Sequence, residues 1–467
     1  MKLKNIVYII IEIARRELDS KIILALKAKE NNFDVAITKK SRIFSVLKYL
    51  KSGIVFLKSF GPRYNPILND IKKYGFKLAG IDEEGLQISY DEHLTGKLRF
   101  SKSVFKDLHY LFTWGSNSKK IYSNFAKKHK LDHKKIISTG SPRVDILKKR
   151  YNKIFFDKDN KLQKKKFILI ATQFLKYNRS GDNFETFDKA EFEKEIVITH
   201  KKNKFSKGKN FKIELDKFAR AFYFQEKNFL EYDKMYSFLC KKFPKELFLI
   251  KPHPGEGIQY YKQLEKKFKN LKIITDNSNI IKWILASKLL ISCNCTTSIE
   301  ARLLNKSSIN YMPYKDLQRE YELPKLTSIN VRNLNDLEKI IKDKSYMKFK
   351  LDKKKETKIL YNLENFRDKY GVDQIINYLK KIQISHKNLK NLNENLFFKF
   401  YLFLRSNFHS LIGFFNYELY RNQLGKRGEF NLKKLNTRLD EIQIILFKKK
   451  KYKFNEKFYG IYTLEEI

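Results

Sequence analysis

Short apolar runs alternate with amphipathic stretches over the first 345 or so residues, and the series occurs twice. Residues 5–12 read as a strand, and Phe33–Ile37 as a second one. Between them, residues 16–31 read as a helix with Leu18, Ile22, Ala25 and Leu26 on one face. Further strands are predicted at Gly53–Leu57, Phe76–Ile81, Tyr110–Thr113 and Ile136–Ser138. A turn at Gly140-Ser141-Pro142-Arg143 and a lysine-rich stretch through Lys166 mark a linker. The second series runs through Phe167–Thr172, Leu247–Ile250, Leu271–Thr275, Lys288–Ser292 and Ser308–Tyr311. Strand–helix alternation of this kind covers both faces of a parallel sheet, so the class is α/β and doubly wound.

Two Rossmann-like halves joined by a linker describe a GT-B-like architecture, whose active site is the cleft between the halves. The expected boundaries are 1–150 for the first domain and 165–345 for the second. The second carries a polar insertion at 178–215 and then a long helix from about Asp216 to Lys242. Residues 346–384 read as bridging helices expected to pack back across both domains, and 385–467 as a basic, aromatic helical tail. In that tail Asn395–Arg421 holds ten Phe and Tyr residues among Lys and Arg. Such a segment either lies in a membrane interface or packs as a helical pair on the main body. The opening β-α-β lacks G-x-G-x-x-G, so it is no dinucleotide fingerprint.

Hydrophobic residues make up 42% of the 467, enough for real cores, and no stretch approaches a membrane span of roughly 18–20 apolar residues. The run Ile6–Ile13 leads into Arg15-Arg16-Glu17 without a small-residue cleavage site, which reads as a first strand and not a signal peptide. Three cysteines, Cys240, Cys293 and Cys295, cannot pair fully and lack zinc spacing, so a reduced, cytoplasmic setting is expected. The net charge of +47 has three readings: nucleic acid, an anionic membrane face, or a codon habit that enriches Lys, Asn, Ile, Phe and Tyr together. Lysines are spread along the whole chain and no nucleic-acid motif is present. The habit therefore carries most weight, peripheral contact with the inner face of the membrane some, and nucleic acid is set aside.

Strand ends supply the candidate chemistry. The run Leu247–Ile250 is cut off by Lys251-Pro252-His253-Pro254, and prolines on both sides hold one imidazole at the mouth of a sheet. A cationic Lys251 beside a titratable His253 there suits an anionic leaving group such as a nucleotide phosphate; a polar loop is the plainer alternative. Ile81-Asp82-Glu83-Glu84-Gly85 also follows an apolar strand. Adjacent acids in a desolvated turn raise one another's pKa, which suits one of them to general-base work, although a solvated turn has the same pattern. Ser292-Cys293-Asn294-Cys295-Thr296-Thr297-Ser298-Ile299-Glu300 runs from strand into helix. Thr297 and Glu300 have capping-box spacing, which reads as a helix cap. The functional alternative, partly compatible with it, is that the same helix start holds a phosphate with Glu300 near a donor ribose. Thr172 and Gln173, with Asn178, end the first strand of the second half and are expected to line the cleft.

No metal site is expected. Cys293 and Cys295 lack further ligands, His129 and His133 sit among four lysines, and Asp157-Lys158-Asp159 lies in the linker.

Taken in order, the acid-acid-Gly turn, the His-Pro and the Ser/Thr-rich helix start resemble bacterial polysialyltransferases and capsular Kdo transferases. More loosely they resemble CDP-glycerol glycerophosphotransferases of teichoic acid synthesis. The fullest resemblance is to the bacterial surface carbohydrate biosynthesis proteins. It rests also on Glu12, Arg16-Glu17-Leu18-Asp19, Gly140-Ser141-Pro142-Arg143-Val144-Asp145, Ile170–Asn178 and Cys295–Ala301, over roughly residues 1–345.

The resemblance implies an inverting, metal-independent glycosyltransferase of surface polysaccharide or lipopolysaccharide synthesis. It would need no cofactor, with a nucleotide-sugar donor, CMP-linked in the relatives, and a glycan or lipid-linked acceptor. Glu83 matches the general base, with Glu84 in reserve because Asp82 shifts the register by one. His253 matches the group that protonates or hydrogen-bonds the leaving phosphate, and Lys251 and Pro254 flank it. Thr296, Thr297 and Ser298 would contact that phosphate; the family usually has Gly where Ser298 stands. The alternatives are transfer of a polyol phosphate from a CDP-alcohol, and a non-catalytic scaffold in envelope assembly.

Overall fold

The computed structural model describes residues 4–85, 99–155, 165–178, 209–276, 278–317, 319–385, 431–446, 450–458 and 460–467. The chain divides into two compact units, Met1–Phe156 with Asp352–Ile467, and Asp157–Leu351.

The first unit is built on one sheet. Its six parallel strands are β1 (Ile6–Ile11), β2 (Asp34–Lys39), β3 (Ile54–Leu57), β4 (Lys77–Ile81), β5 (Leu108–Thr113) and β6 (Ile136–Ser138). All six residues of β1, IVYIII, are buried, as expected of a strand covered on both faces. The spatial order is β2-β1-β3-β4-β5-β6, so the winding direction reverses between β1 and β3. Ligands of open α/β sheets bind outside the carboxyl ends of the strands at such a reversal.

Two further strands, β13 (Tyr452–Phe458) and β14 (Ile461–Glu466), extend this sheet beyond β2. β14 runs antiparallel to β2 with Tyr462 opposite Ile37, and Thr38 Oγ1 donates to the Gly460 carbonyl at 2.9 Å. The hairpin covers β2, and β13 becomes the edge. That edge is satisfied by the helix Leu432–Ile445. Asn436 exchanges two hydrogen bonds with the Phe454 backbone (2.8 and 2.7 Å), and Gln443, seven residues on, does the same with Tyr452 (2.9 and 2.7 Å). Two amide side chains thus occupy edge groups that would otherwise offer a pairing template. The described part of the tail is therefore a helix followed by a hairpin, and the hairpin is an addition to the expected helical tail. The aromatic segment Asn395–Arg421 lies outside the described residues, as does most of the 178–215 insertion.

The helices Lys353–Asn362 and Gly371–Leu379, expected as bridging helices, belong to the first unit. Asp145, wholly buried, fastens the start of the second helix and the loop before it. It accepts from the backbone N–H of Gly371 (3.0 Å) and Val372 (2.7 Å) and from Asn365 Nδ2 (2.6 Å).

The second unit holds β7 (Phe167–Ala171), β8 (Leu247–Lys251), β9 (Leu271–Ile273), β10 (Leu289–Ser292), β11 (Ser308–Tyr311) and β12 (Ile329–Val331), all parallel. Their order is β9-β8-β7-β10-β11-β12, a doubly wound Rossmann-like arrangement that reverses between β7 and β10. The long helix Lys209–Lys242 starts earlier than its amphipathic pattern suggests. It buries Tyr232, Met235, Tyr236 and Leu239 at helical spacing against the sheet. The fold is thus two Rossmann-like α/β units, the class expected.

Candidate active site

In the first unit, charged side chains gather at the carboxyl ends of β1, β3 and β4, where the sheet order reverses. The helix Ala14–Glu30 sends Glu17 and Lys21, one turn apart, into the protein, and both are essentially inaccessible. Lys21 Nζ lies 2.5 Å from Glu83 Oε1 and 4.9 Å over the Phe56 ring. Glu17 Oε2 accepts from the Glu12 N–H at 3.0 Å. Lys58, directly after β3, pairs with Glu12, and its carbonyl accepts from Glu83 N–H at 3.1 Å. Arg143 donates to the Glu83 carbonyl (2.9 Å) and lies over the Trp114 ring at 5.5 Å.

The three acids of the turn have separate tasks. Asp82 organises it: its carboxylate accepts from Glu84 N–H (2.9 Å), Tyr122 OH (2.9 Å) and Arg99 Nη1 (2.6 and 2.8 Å). Its carbonyl accepts from Trp114 Nε1 at 2.6 Å. Glu83 turns inward, 3% exposed, and its Oε2 has no hydrogen-bond partner among the described residues. Burial pushes its carboxyl up, but Lys21, Arg143 and Arg16 together outweigh that and hold it below the usual carboxylate range. Glu84 is the half-exposed acid, paired with Arg99 and, at 3.5 Å, with Arg16. Gly85 is required because a Cβ there would fall 2.2 Å from Trp114 Cδ1.

In the second unit, His253 follows β8 as the sequence predicts. Gly255 N–H donates to His253 Nδ1 at 3.2 Å, so a neutral ring carries its proton on Nε2. Lys251 Nζ pairs with Asp276 at 3.2 Å, and Pro254 is exposed. Across the reversal between β7 and β10, Gln173 Nε2 donates to the carbonyls of Cys293 (2.5 Å) and Asn294 (2.7 Å). Asn294, in the left-handed region at φ 49°, is anchored in turn by Asn310 Oδ1 and the Arg319 carbonyl.

The helix after β10 starts at Thr297, behind Thr296, and no side chain caps it, so the capping box expected of Thr297 and Glu300 is not formed. Thr296, Thr297 and Glu300 are half-buried. Ser298 is wholly buried; its hydroxyl donates to the Cys295 carbonyl (2.9 Å) and meets Thr327 Oγ1 (3.2 Å). Burial pushes the Cys293 and Cys295 thiols up, as packing residues.

Several residues at these sites escaped the sequence reading. Lys21 and Lys58 join the acidic cluster, and Glu256 lies beneath His253. Glu256 is 3% exposed and accepts from Tyr261 OH (2.5 Å), Thr172 Oγ1 (3.0 Å), Phe174 N–H (2.9 Å) and His253 N–H (3.2 Å). Burial pushes its carboxyl up to about 7. The signal available was an acid three residues beyond the histidine with a glycine between them.

Among the described residues no group of three or more His, Cys, Asp or Glu is arranged to hold a metal, and no helix is long and apolar enough to cross a membrane. His129 packs edge-on against Phe125, with ring centroids 4.3 Å apart. Asp157 and Asp159 lie outside the described residues.

No protein-family model and no curated protein matches the chain. Among solved structures it is similar to a UDP-GlcNAc 2-epimerase from Methanocaldococcus jannaschii in complex with UDP-GlcNAc and UDP. That match has 14% identity and a TM-score of 0.45, over 80% of this chain and 99% of that one. The wall teichoic acid polymerase TagF matches at 14% identity and a TM-score of 0.47, over 81% and 89% of the two chains. A Neisseria meningitidis UDP-GlcNAc 2-epimerase bound to UDP-GlcNAc matches at 13% and 0.46, over 81% and 100%.

Proposed function

We propose that this chain is a glycosyltransferase of surface polysaccharide or lipopolysaccharide synthesis, inverting and metal-independent, with a CMP-activated sugar as donor and a glycan or lipid-linked acceptor. The observation that carries the reading is the state of His253. With Nδ1 occupied by the Gly255 N–H, the ring offers its proton from Nε2, the form needed to donate to a departing phosphate oxygen.

In this reaction an acceptor hydroxyl attacks the anomeric carbon, the bond from that carbon to the phosphate oxygen breaks, and CMP leaves. Glu83, held ionised by its cationic neighbours, receives the hydroxyl proton, and Glu84 is the accessible acid beside it. Negative charge collects on the leaving phosphate, where His253 Nε2–H and the Lys251 ammonium act. A preorganised donor aimed at such charge contributes about 3–4 kcal/mol. Gln173 and the half-buried Thr296 and Thr297 lie at the β7/β10 reversal, which suits nucleotide binding. The protein works on the inner face of the cell membrane, where its net charge of +47 favours anionic lipid.

The test is a thermal-shift series with CMP, CDP, UDP and GDP, followed by donor hydrolysis with CMP-sugars and CDP-alcohols. Selective stabilisation by CMP is expected, with CMP-sugar turnover that falls steeply to a measurable residual rate in H253A and E83Q. Turnover of CDP-alcohols instead would mean transfer of a polyol phosphate. Unchanged cellular function in both variants would mean a scaffold.

A further inference from the structure

We propose that Glu256 is the positioning residue that sets the orientation and tautomer of His253. The buried carboxylate closes the turn at both ends: its Oε1 takes the His253 N–H at 3.2 Å, and the Glu256 N–H returns to the His253 carbonyl at 2.8 Å. That closure aims the Gly255 N–H at His253 Nδ1. Gly255 is drawn in closely, since a Cβ there would fall 2.4 Å from Leu175 Cδ1.

The same carboxylate moors the turn to two other elements. Thr172 Oγ1 and Phe174 N–H reach it from the end of β7, and Tyr261 OH from the helix Gln259–Lys267. Thr172 and Tyr261 are themselves buried. Removing Glu256 leaves four donors without their acceptor and releases the turn, so Nδ1 loses the donor that keeps it unprotonated. Glu256 acts through His253 and touches no reacting atom.

The experiment is 15N NMR of histidine-labelled full-length protein, with H253A identifying the His253 signals among the eight histidines. In the wild type, His253 Nδ1 should show the shift of an unprotonated nitrogen and Nε2 that of a protonated one. In E256A the two should move toward each other as the tautomers mix. Should E256A fail to fold, E256D keeps the charge while drawing the carboxylate back by one methylene, and the same change is expected. Unmoved His253 shifts in whichever variant folds overturn the proposal.

The consequence for turnover rests on the functional reading above. There E256A should lower kcat about 10²-fold with the donor KM roughly unchanged, and cost nothing further in an H253A background. A 10²-fold further loss in that background would overturn action through His253. Full activity of H253A with a disturbed tautomer in E256A would instead sink the transferase reading and leave the positioning role standing.

Discussion

Glu83 and Lys21 form an ion pair at 2.5 Å with side chains 3% and 1% exposed, on the floor of the charged cluster in the first unit. Breaking a buried pair from one side leaves an uncompensated charge, so K21M should destabilise the protein by about 3–5 kcal/mol in urea unfolding at pH 7. An apolar replacement of both partners should recover most of that. The pH dependence has a definite sign. Because Glu83 is held below its usual range when folded, its contribution is present above the ordinary glutamate value and lost as pH falls through the folded-state one. K21M should lack this acid-side loss, as read from unfolding curves between pH 3 and 7.

Gly85 leaves no room for a methyl group beside the Trp114 indole. G85A should cost about 1–3 kcal/mol through forced displacement of that ring. It should also change tryptophan emission, because Trp114 Nε1 would lose its bond to the Asp82 carbonyl. An unshifted spectrum with unchanged stability would contradict the packing described.

Glu256 predicts the opposite pH trend from Glu83. Its carboxyl is raised from 4.5 to about 7 in the folded protein, so the stability linked to it is full below 4.5 and lost as pH rises through about 7. E256Q should remove this slope, which amounts to about 3 kcal/mol at most. The check is the difference between wild-type and E256Q unfolding free energies at pH 4.5, 6 and 8.

The amide caps on β13 can be tested singly. N436A and Q443A should each cost about 1–3 kcal/mol, because each strips two backbone groups of their partners in a largely buried setting. Amide hydrogen exchange at Phe454 and Tyr452 respectively should quicken, and unchanged exchange would refute the capping role.

Most strands could be read directly because runs such as Ile54–Leu57 are wholly apolar, as parallel strands buried on both faces must be. Ile329–Val331 escaped: it has three residues, one of them Asn330, and follows Ser328. The hairpin escaped for a different reason. Tyr452, Phe454, Ile461, Tyr462 and Leu464 supply its buried face, but lysines between residues 450 and 457 made the region read as more basic tail. His253 was legible because two prolines fix its surroundings in the local sequence. Lys21 was not, since nothing distinguishes one buried lysine in a chain with 98 Lys and Arg. Glu256 depends on donors brought from Thr172 and Tyr261, which only the folded chain assembles.

The hairpin that flanks β2 has a bearing on how the protein is made. Thr38 and Gly460 are 422 positions apart, so the first sheet cannot be completed until the hairpin Tyr452–Glu466 has left the ribosome. The second unit, contiguous from Asp157 to Leu351, needs no such wait. During synthesis β2 therefore stands as an unguarded edge until the hairpin arrives, and nascent chains are open to mispairing there over that interval.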